Sequence, residues 1–158
     1  MSMHTVAVMG LGVRGKIHLH GLLEDYYKVV GLCDIDEPKM KAVAEEYHLD
    51  DVPLFTDAEE MLKETRPEIF VFVTYPDLRL SVIQLAVKYG VKGISFEKPM
   101  AESLQEAKKI VKLCHDNGIK AVVCHQQKYL SQMQTLKKRI EDGEIGEITK
   151  IHVECQAW

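Results

Sequence analysis

Met1-Ser2-Met3-His4-Thr5-Val6-Ala7-Val8-Met9-Gly10-Leu11-Gly12-Val13-Arg14-Gly15 opens the chain, and the reading of this stretch decides the fold. Thr5 to Met9 is an apolar, β-branched run of the kind strands favour. Gly10, Gly12 and Gly15 follow with the spacing Gly-x-Gly-x-x-Gly, and Lys16 to Leu23 then has helical spacing. Strand, glycine turn and helix together form the opening of a dinucleotide-binding unit. The first glycine allows a tight turn, the second lets backbone approach a pyrophosphate, and the third lets helix and strand pack closely. The helix N-terminus adds free N–H groups and the positive end of its dipole. Val13 and Arg14 lie inside the turn and are candidate cofactor contacts with the three glycines.

A second apolar run, Val29-Val30-Gly31-Leu32-Cys33, delivers Asp34 nineteen positions after Gly15. A carboxylate at that distance accepts hydrogen bonds from the adenosine ribose hydroxyls and repels a 2′-phosphate, which points to NAD over NADP. Asp36 could share the role, and Arg14 could soften the penalty for NADP, so NADP stays open. Asp34 read alone could instead be a turn residue that caps the next helix. Ile35 beside it is a further candidate cofactor contact.

Bulk properties narrow the class. The net charge of −4 comes from interleaved acidic and basic residues, and 46% of the 158 residues are hydrophobic. This is an ordinary globular composition with no basic field for nucleic acid or an anionic membrane. Lys137-Lys138-Arg139 is answered by Glu141, Asp142 and Glu144 and reads as a solvated helix face. No apolar run approaches the ~20 residues that span a bilayer, and no basic-then-apolar leader opens the chain. Cys33, Cys114, Cys124 and Cys155 are scattered without a C-x-x-C, which suggests reduced thiols in a cytoplasmic protein and no metal site. His18 and His20, two apart on a helix, face different ways.

The rest of the chain alternates strands and helices. Asp36-Glu37-Pro38 opens a helix to about Tyr47; Pro53 to Phe55 is a short strand; Thr56 or Asp57 caps a helix from Ala58 to about Glu64. Glu68 to Thr74 is apolar on both faces, as a central parallel strand is. Gly90 ends the helix that carries Leu80, Ile83, Gln84 and Val87. Gly93 to Phe96 is a strand, Ser103-Leu104-Gln105-Glu106 a capping box, and Asn117-Gly118 the helix stop. Ala121 to Cys124 is the sixth strand. A helix from about Ser131 to Asp142 turns Met133, Leu136 and Ile140 inward, and Glu147 to Cys155 alternates as a last strand that stops at Trp158 without a partner. Six strands alternating with helices predict an α/β, doubly wound, mostly parallel six-stranded sheet in the order 3-2-1-4-5-6. Residues 1–128 form the nucleotide-binding domain in this reading. Residues 129–158 are a bridging helix and the first strand of a further domain.

Four motifs give the chain a family likeness: Gly10 to Gly15 followed by His18; Val30-Gly31-Leu32-Cys33-Asp34-Ile35-Asp36; Thr74-Tyr75-Pro76-Asp77; and Glu97-Lys98-Pro99-Met100-Ala101. With them the chain resembles the glucose–fructose oxidoreductase/inositol dehydrogenase (Gfo/Idh/MocA) family of nicotinamide oxidoreductases. The resemblance implies the front portion of a longer protein whose second, α/β substrate domain is missing here. It implies a Rossmann fold, NAD as cofactor, a sugar or polyol substrate, and a homo-oligomer in the full-length protein. It places Thr74, Tyr75, Pro76, Glu97 and Lys98 at the cofactor and makes Lys98 the catalytic residue near the nicotinamide. Chemistry agrees, since alcohol oxidation needs a group to accept the hydroxyl proton, and a lysine with a lowered pKa can do so. Without the resemblance, Lys98 could equally be a surface lysine in a strand-to-helix turn.

Leu80 stands where many members of the family have histidine, and Lys128 where many have arginine, which keeps the charge but loses the bidentate fork. His125 and Lys128 are candidate substrate contacts; His125 could equally be a capping or core histidine. A fragment of this kind should bind the cofactor and turn over little or nothing. The competing reading is a non-catalytic module that senses NAD(H) or docks on a partner by strand addition. Methyl transfer with a sulfonium cofactor shares the glycine turn but gives no reason for Glu97-Lys98-Pro99.

Overall fold

The computed structural model describes residues 3–23 and 26–154. Its first strand, β1 (His4–Met9), buries Val6, Ala7 and Val8 completely, so it is covered on both faces. The chain then runs α1 (Val13–Leu22), β2 (Tyr27–Cys33), α2 (Glu37–Glu46), β3 (Leu54–Phe55), α3 (Ala58–Thr65), β4 (Ile69–Phe72), α4 (Arg79–Lys88), β5 (Gly93–Glu97), α5 (Leu104–Asp116), β6 (Lys120–Cys124) and α6 (Ser131–Glu141). The strands form one sheet in the order β3-β2-β1-β4-β5-β6, and every neighbouring pair is parallel. This is the doubly wound order read from the sequence.

Local chemistry sets the helix ends. Asp36 caps α2 by accepting from the Lys39 N–H at 3.0 Å, and Asp57 caps α3 by accepting from Glu60 at 2.8 Å. Ser103 caps α5 through Glu106, while the Glu106 carboxylate reaches back to the N–H of Glu102, one residue before the cap. The box therefore closes one position early.

The chain divides into two compact units, residues 1–124 and 125–158. In the first, α3, α4 and α5 cover one sheet face, with Phe70, Phe72 and Phe96 at its centre. The Phe72 and Phe96 rings stack with centroids 5.1 Å apart. On the other face α1 and α2 cover Val6, Val8, Leu32 and Val71. A groove of about 710 Å³ stays open on this face, lined in part by Ile17, His18, Ile69, Ser95 and Val122. Among the described residues no helix is long and apolar enough to cross a membrane.

The second unit departs from expectation twice. No residue of α6 is buried, and Met133 and Leu136 remain half exposed rather than turned inward. One helix and its flanking loops supply too little apolar surface to close a core. Residues 147–154 form no strand, because a strand needs a paired neighbour and this unit offers none. Cys155 and Trp158, at the end of that expected strand, lie outside the described residues. The basic run of α6 is solvated as read, with Lys138 paired to Asp142 at 2.6 Å.

Candidate functional site

The glycine turn leaves the carboxyl end of β1 between those of β2 and β4, with the end of β5 one strand further out. Gly10 leaves β1 with φ of +85°, and a Cβ there would lie 2.1 Å from the Val73 carbonyl oxygen. Only glycine fits such a position. A Cβ on Gly15 would lie 1.8 Å from the Gly10 carbonyl oxygen, so the third glycine lets helix and turn touch. Gly12 differs from both. It is the N-cap of α1, and a Cβ there would meet no atom within 4 Å. The space over it is free for a phosphate approaching the helix N-terminus, beside exposed Val13 and Arg14. A shallow cavity of about 740 Å³ opens there, lined by Leu11, Gly12, Val13, Lys16, Lys39 and Tyr47 among others.

Asp34 sits beside this turn with its side chain only 7% exposed. Its Oδ2 accepts from the Leu11 N–H at 2.7 Å, and its Oδ1 accepts from the Asp36 N–H at 3.0 Å and from Lys39 Nζ at 3.3 Å. Burial acts to raise the pKa of this carboxyl. The N–H groups of Leu11 and Asp36, with Lys39, outweigh it and hold the group below its ordinary value. Asp34 is therefore a carboxylate at neutral pH, with lone pairs left for further donors. Ile35 next to it is 91% exposed. Lys39 was not singled out in the sequence, where it is one lysine among many; only its position one turn into α2 brings it to Asp34.

The Thr74-Tyr75-Pro76 loop leaves β4, and the Glu97-Lys98-Pro99 turn leaves β5. The neighbouring strands carry them side by side, with Phe72 paired to Phe96. Tyr75 and Lys98 are exposed, and the Lys98–Pro99 peptide is cis. Arg79 links the two loops. It is 2% exposed, and its Nη2 donates to the Thr74 carbonyl at 3.2 Å and to the Lys98 carbonyl at 3.4 Å. Its guanidinium carbon lies 5.9 Å from the Phe96 ring centroid. Burial lowers its pKa, and the charge of Glu97 works against that. Arg79 was missed in the sequence, although a signal was present: it shares the stripe of Val82, Ile83 and Ala86, an arginine at a core position.

Glu97 is buried, and its Oε1 lies 3.1 Å from His18 Nε2 on α1. A carboxylate can only accept, so the imidazole donates from Nε2. His125 and Lys128 belong to the second unit. There His125 precedes a 3₁₀ turn over Gln126–Tyr129, and Lys128 Nζ lies 4.8 Å from the Tyr129 ring centroid.

A parallel sheet in this order, with a glycine turn at its switch point and a carboxylate at the end of β2, defines a Rossmann dinucleotide-binding protein. The model of the Gfo/Idh/MocA oxidoreductase family, described as having an NAD-binding Rossmann fold, matches residues 4–125, and the chain belongs to that family. It is 28% identical over 141 residues to the D-apiose dehydrogenase of Paraburkholderia graminis, covering 89% of this chain and 37% of that protein. It is 22% identical over 148 residues to the scyllo-inositol 2-dehydrogenase (NADP(+)) of Bacillus subtilis, covering 94% of this chain and 40% of that protein. The fold also matches the WlbA dehydrogenase of Bordetella pertussis, solved with NADH and UDP-GlcNAcA, at a TM-score of 0.82 and 24% identity, over 92% of this chain and 44% of that one. The chain thus spans less than half the length of these relatives.

Proposed function

We propose that this chain is the cofactor-holding part of an oxidoreductase that moves a hydride between a nicotinamide and a hydroxyl-bearing sugar or polyol. The open space over Gly12, at the N-terminus of α1 and beside the Asp34 carboxylate, is the observation that carries the reading. A pyrophosphate over Gly12 would meet the unpaired N–H groups of the first helical turn. Asp34 would accept from the ribose hydroxyls, with exposed Ile35 beside the adenine. NAD, when bound, supplies the hydride acceptor. Thr74, Tyr75 and Pro76 would flank the nicotinamide end, and Lys98 would take or orient the hydroxyl proton. His125 and Lys128, in the second unit, are carried as candidate substrate contacts on the family resemblance. The dehydrogenases of D-apiose and scyllo-inositol among the relatives support a polyhydroxylated substrate.

Lys39 beside Asp34 tempers the repulsion of a 2′-phosphate, so the preference for NAD over NADP is one of degree. The chain by itself should bind cofactor with little or no turnover. Calorimetric titration with NADH and, separately, NADPH tests the reading. Tighter NADH binding, with the preference lost in Asp34→Ala, supports it; binding of neither overturns it. Oxidation of a polyol by this chain alone at ordinary enzymatic rates would sink the claim of little turnover.

A further inference from the structure

His18 on the second turn of α1, Glu97 at the end of β5 and Cys124 at the end of β6 come together although they are scattered in the sequence. Glu97 and Cys124 are in-register neighbours of adjacent parallel strands, which puts both side chains on one sheet face. His18 descends on them from the helix covering that face. One ligand atom from each, with the other two, lies within 4.8 Å. The His18 and Glu97 side chains are 18% and 10% exposed, and Cys124 is half-buried. These are shielded donors rather than a cluster of surface charge.

We propose that His18, Glu97 and Cys124 form a zinc-binding site with three protein ligands and one open position. An imidazole nitrogen, a carboxylate oxygen and a thiolate sulfur are a borderline-soft set that suits zinc and not magnesium or calcium. Ligands on a tetrahedral zinc with bonds of ~2.0–2.3 Å stand ~3.3–3.8 Å apart. The His18–Glu97 pair, at 3.1 Å, already has nearly this spacing, and the Cys124 sulfur lies within 4.8 Å of both ligand atoms. Ser95 Oγ lies 3.4 Å from Cys124 Sγ, placed to donate to the thiolate as outer partners of metal ligands do. The groove on the open sheet face is lined by both His18 and Ser95, which gives the ion an entry path. On binding, the Cys124 thiol releases its proton to solvent, and the imidazole proton of His18 moves from Nε2 to Nδ1, which frees Nε2 for the metal beside the Glu97 carboxylate. The fourth position takes water or a small anion.

The test of this site uses neither dinucleotide nor activity. The metal-free 158-residue chain is titrated with Co²⁺ and then with Zn²⁺. The expected result is one Co²⁺ per chain with a thiolate-to-cobalt charge-transfer band, displaced by Zn²⁺. Cys124→Ser should abolish the band, and His18→Gln should weaken Zn²⁺ binding at least ~10-fold, with circular dichroism verifying the fold of each variant. If one variant fails to fold, the other carries the same test. Absence of a bound ion, or a band that survives Cys124→Ser, overturns the proposal.

Discussion

The Leu11 N–H donates to Asp34 Oδ2 at 2.7 Å, joining the glycine turn after β1 to the carboxyl end of β2. One carboxylate therefore shapes the turn and presents the charge that a ribose would meet. Neutral Asp34→Asn keeps an acceptor for Leu11, whereas Asp34→Ala leaves that N–H unpaired. Loss of such a charged hydrogen bond costs about 1.5–3 kcal/mol. Chemical denaturation should show Asp34→Ala as the less stable of the two, and NADH titration should show weakened binding in both.

The same carboxyl fixes the direction of one pH effect. Its folded pKa is lowered, so the unfolded chain binds the proton more readily. The stability it contributes is complete above the ordinary carboxylate range and is lost as pH falls through the folded value. Denaturant midpoints measured from pH 7 down to pH 3 should fall less steeply for Asp34→Asn than for the parent chain.

The glycine turn predicts opposite outcomes for its members. Gly15→Ala drives a Cβ to 1.8 Å from backbone and should destabilise the chain by about 3 kcal/mol or more. Gly12→Ala meets no atom and should leave the melting temperature nearly unchanged. It should still weaken NADH binding about tenfold or more, since a methyl then occupies the space over the helix N-terminus. Calorimetry on both variants reads the two effects separately.

Arg79→Ala removes the donor shared by the Thr74 and Lys98 carbonyls and empties a buried volume. The expected loss is about 2–4 kcal/mol. Arg79→Met, which refills the volume, should recover part of the stability without tying the two loops. Proteolysis within 74–79 and 97–101 should accelerate in both variants.

Cys33 is buried, and burial, with the nearby Asp57 and Asp34 charges, pushes its thiol up to about 12. Cys114 is raised by burial alone. Only the thiolate reacts, so Cys33 at pH 8 should be alkylated about a thousandfold more slowly than an exposed cysteine. Site-resolved mass spectrometry with iodoacetamide should find both protected in the native chain and labelled in urea.

The sheet order was legible because each strand advertises itself locally. Glu68 to Thr74 is apolar on both faces, Asp36 and Asp57 mark helix starts, and Gly90 and Gly118 mark helix ends. These signals act within a few residues, and parallel pairing with short crossovers leaves few topologies. The alternating stretch 147–154 forms no strand here, because alternation names a strand's faces and cannot supply its partner. Within its own unit the stripe of α6 stays exposed, since an apolar stripe shows what a helix can bury and one helix cannot bury it alone.

What the sequence determined by itself was the backbone plan: a glycine turn between strand and helix, an acid at the end of the second strand, and six parallel strands in one order. Periodicity, caps and glycines carry that plan, and each is a property of neighbouring residues. Tertiary structure alone decided which side chains meet. Lys39 joins Asp34, Arg79 ties the loops after β4 and β5, and His18 meets Glu97 from a position 79 residues away. Contacts at such separation depend on strand register and on how each helix lies across the sheet, and no local pattern encodes either.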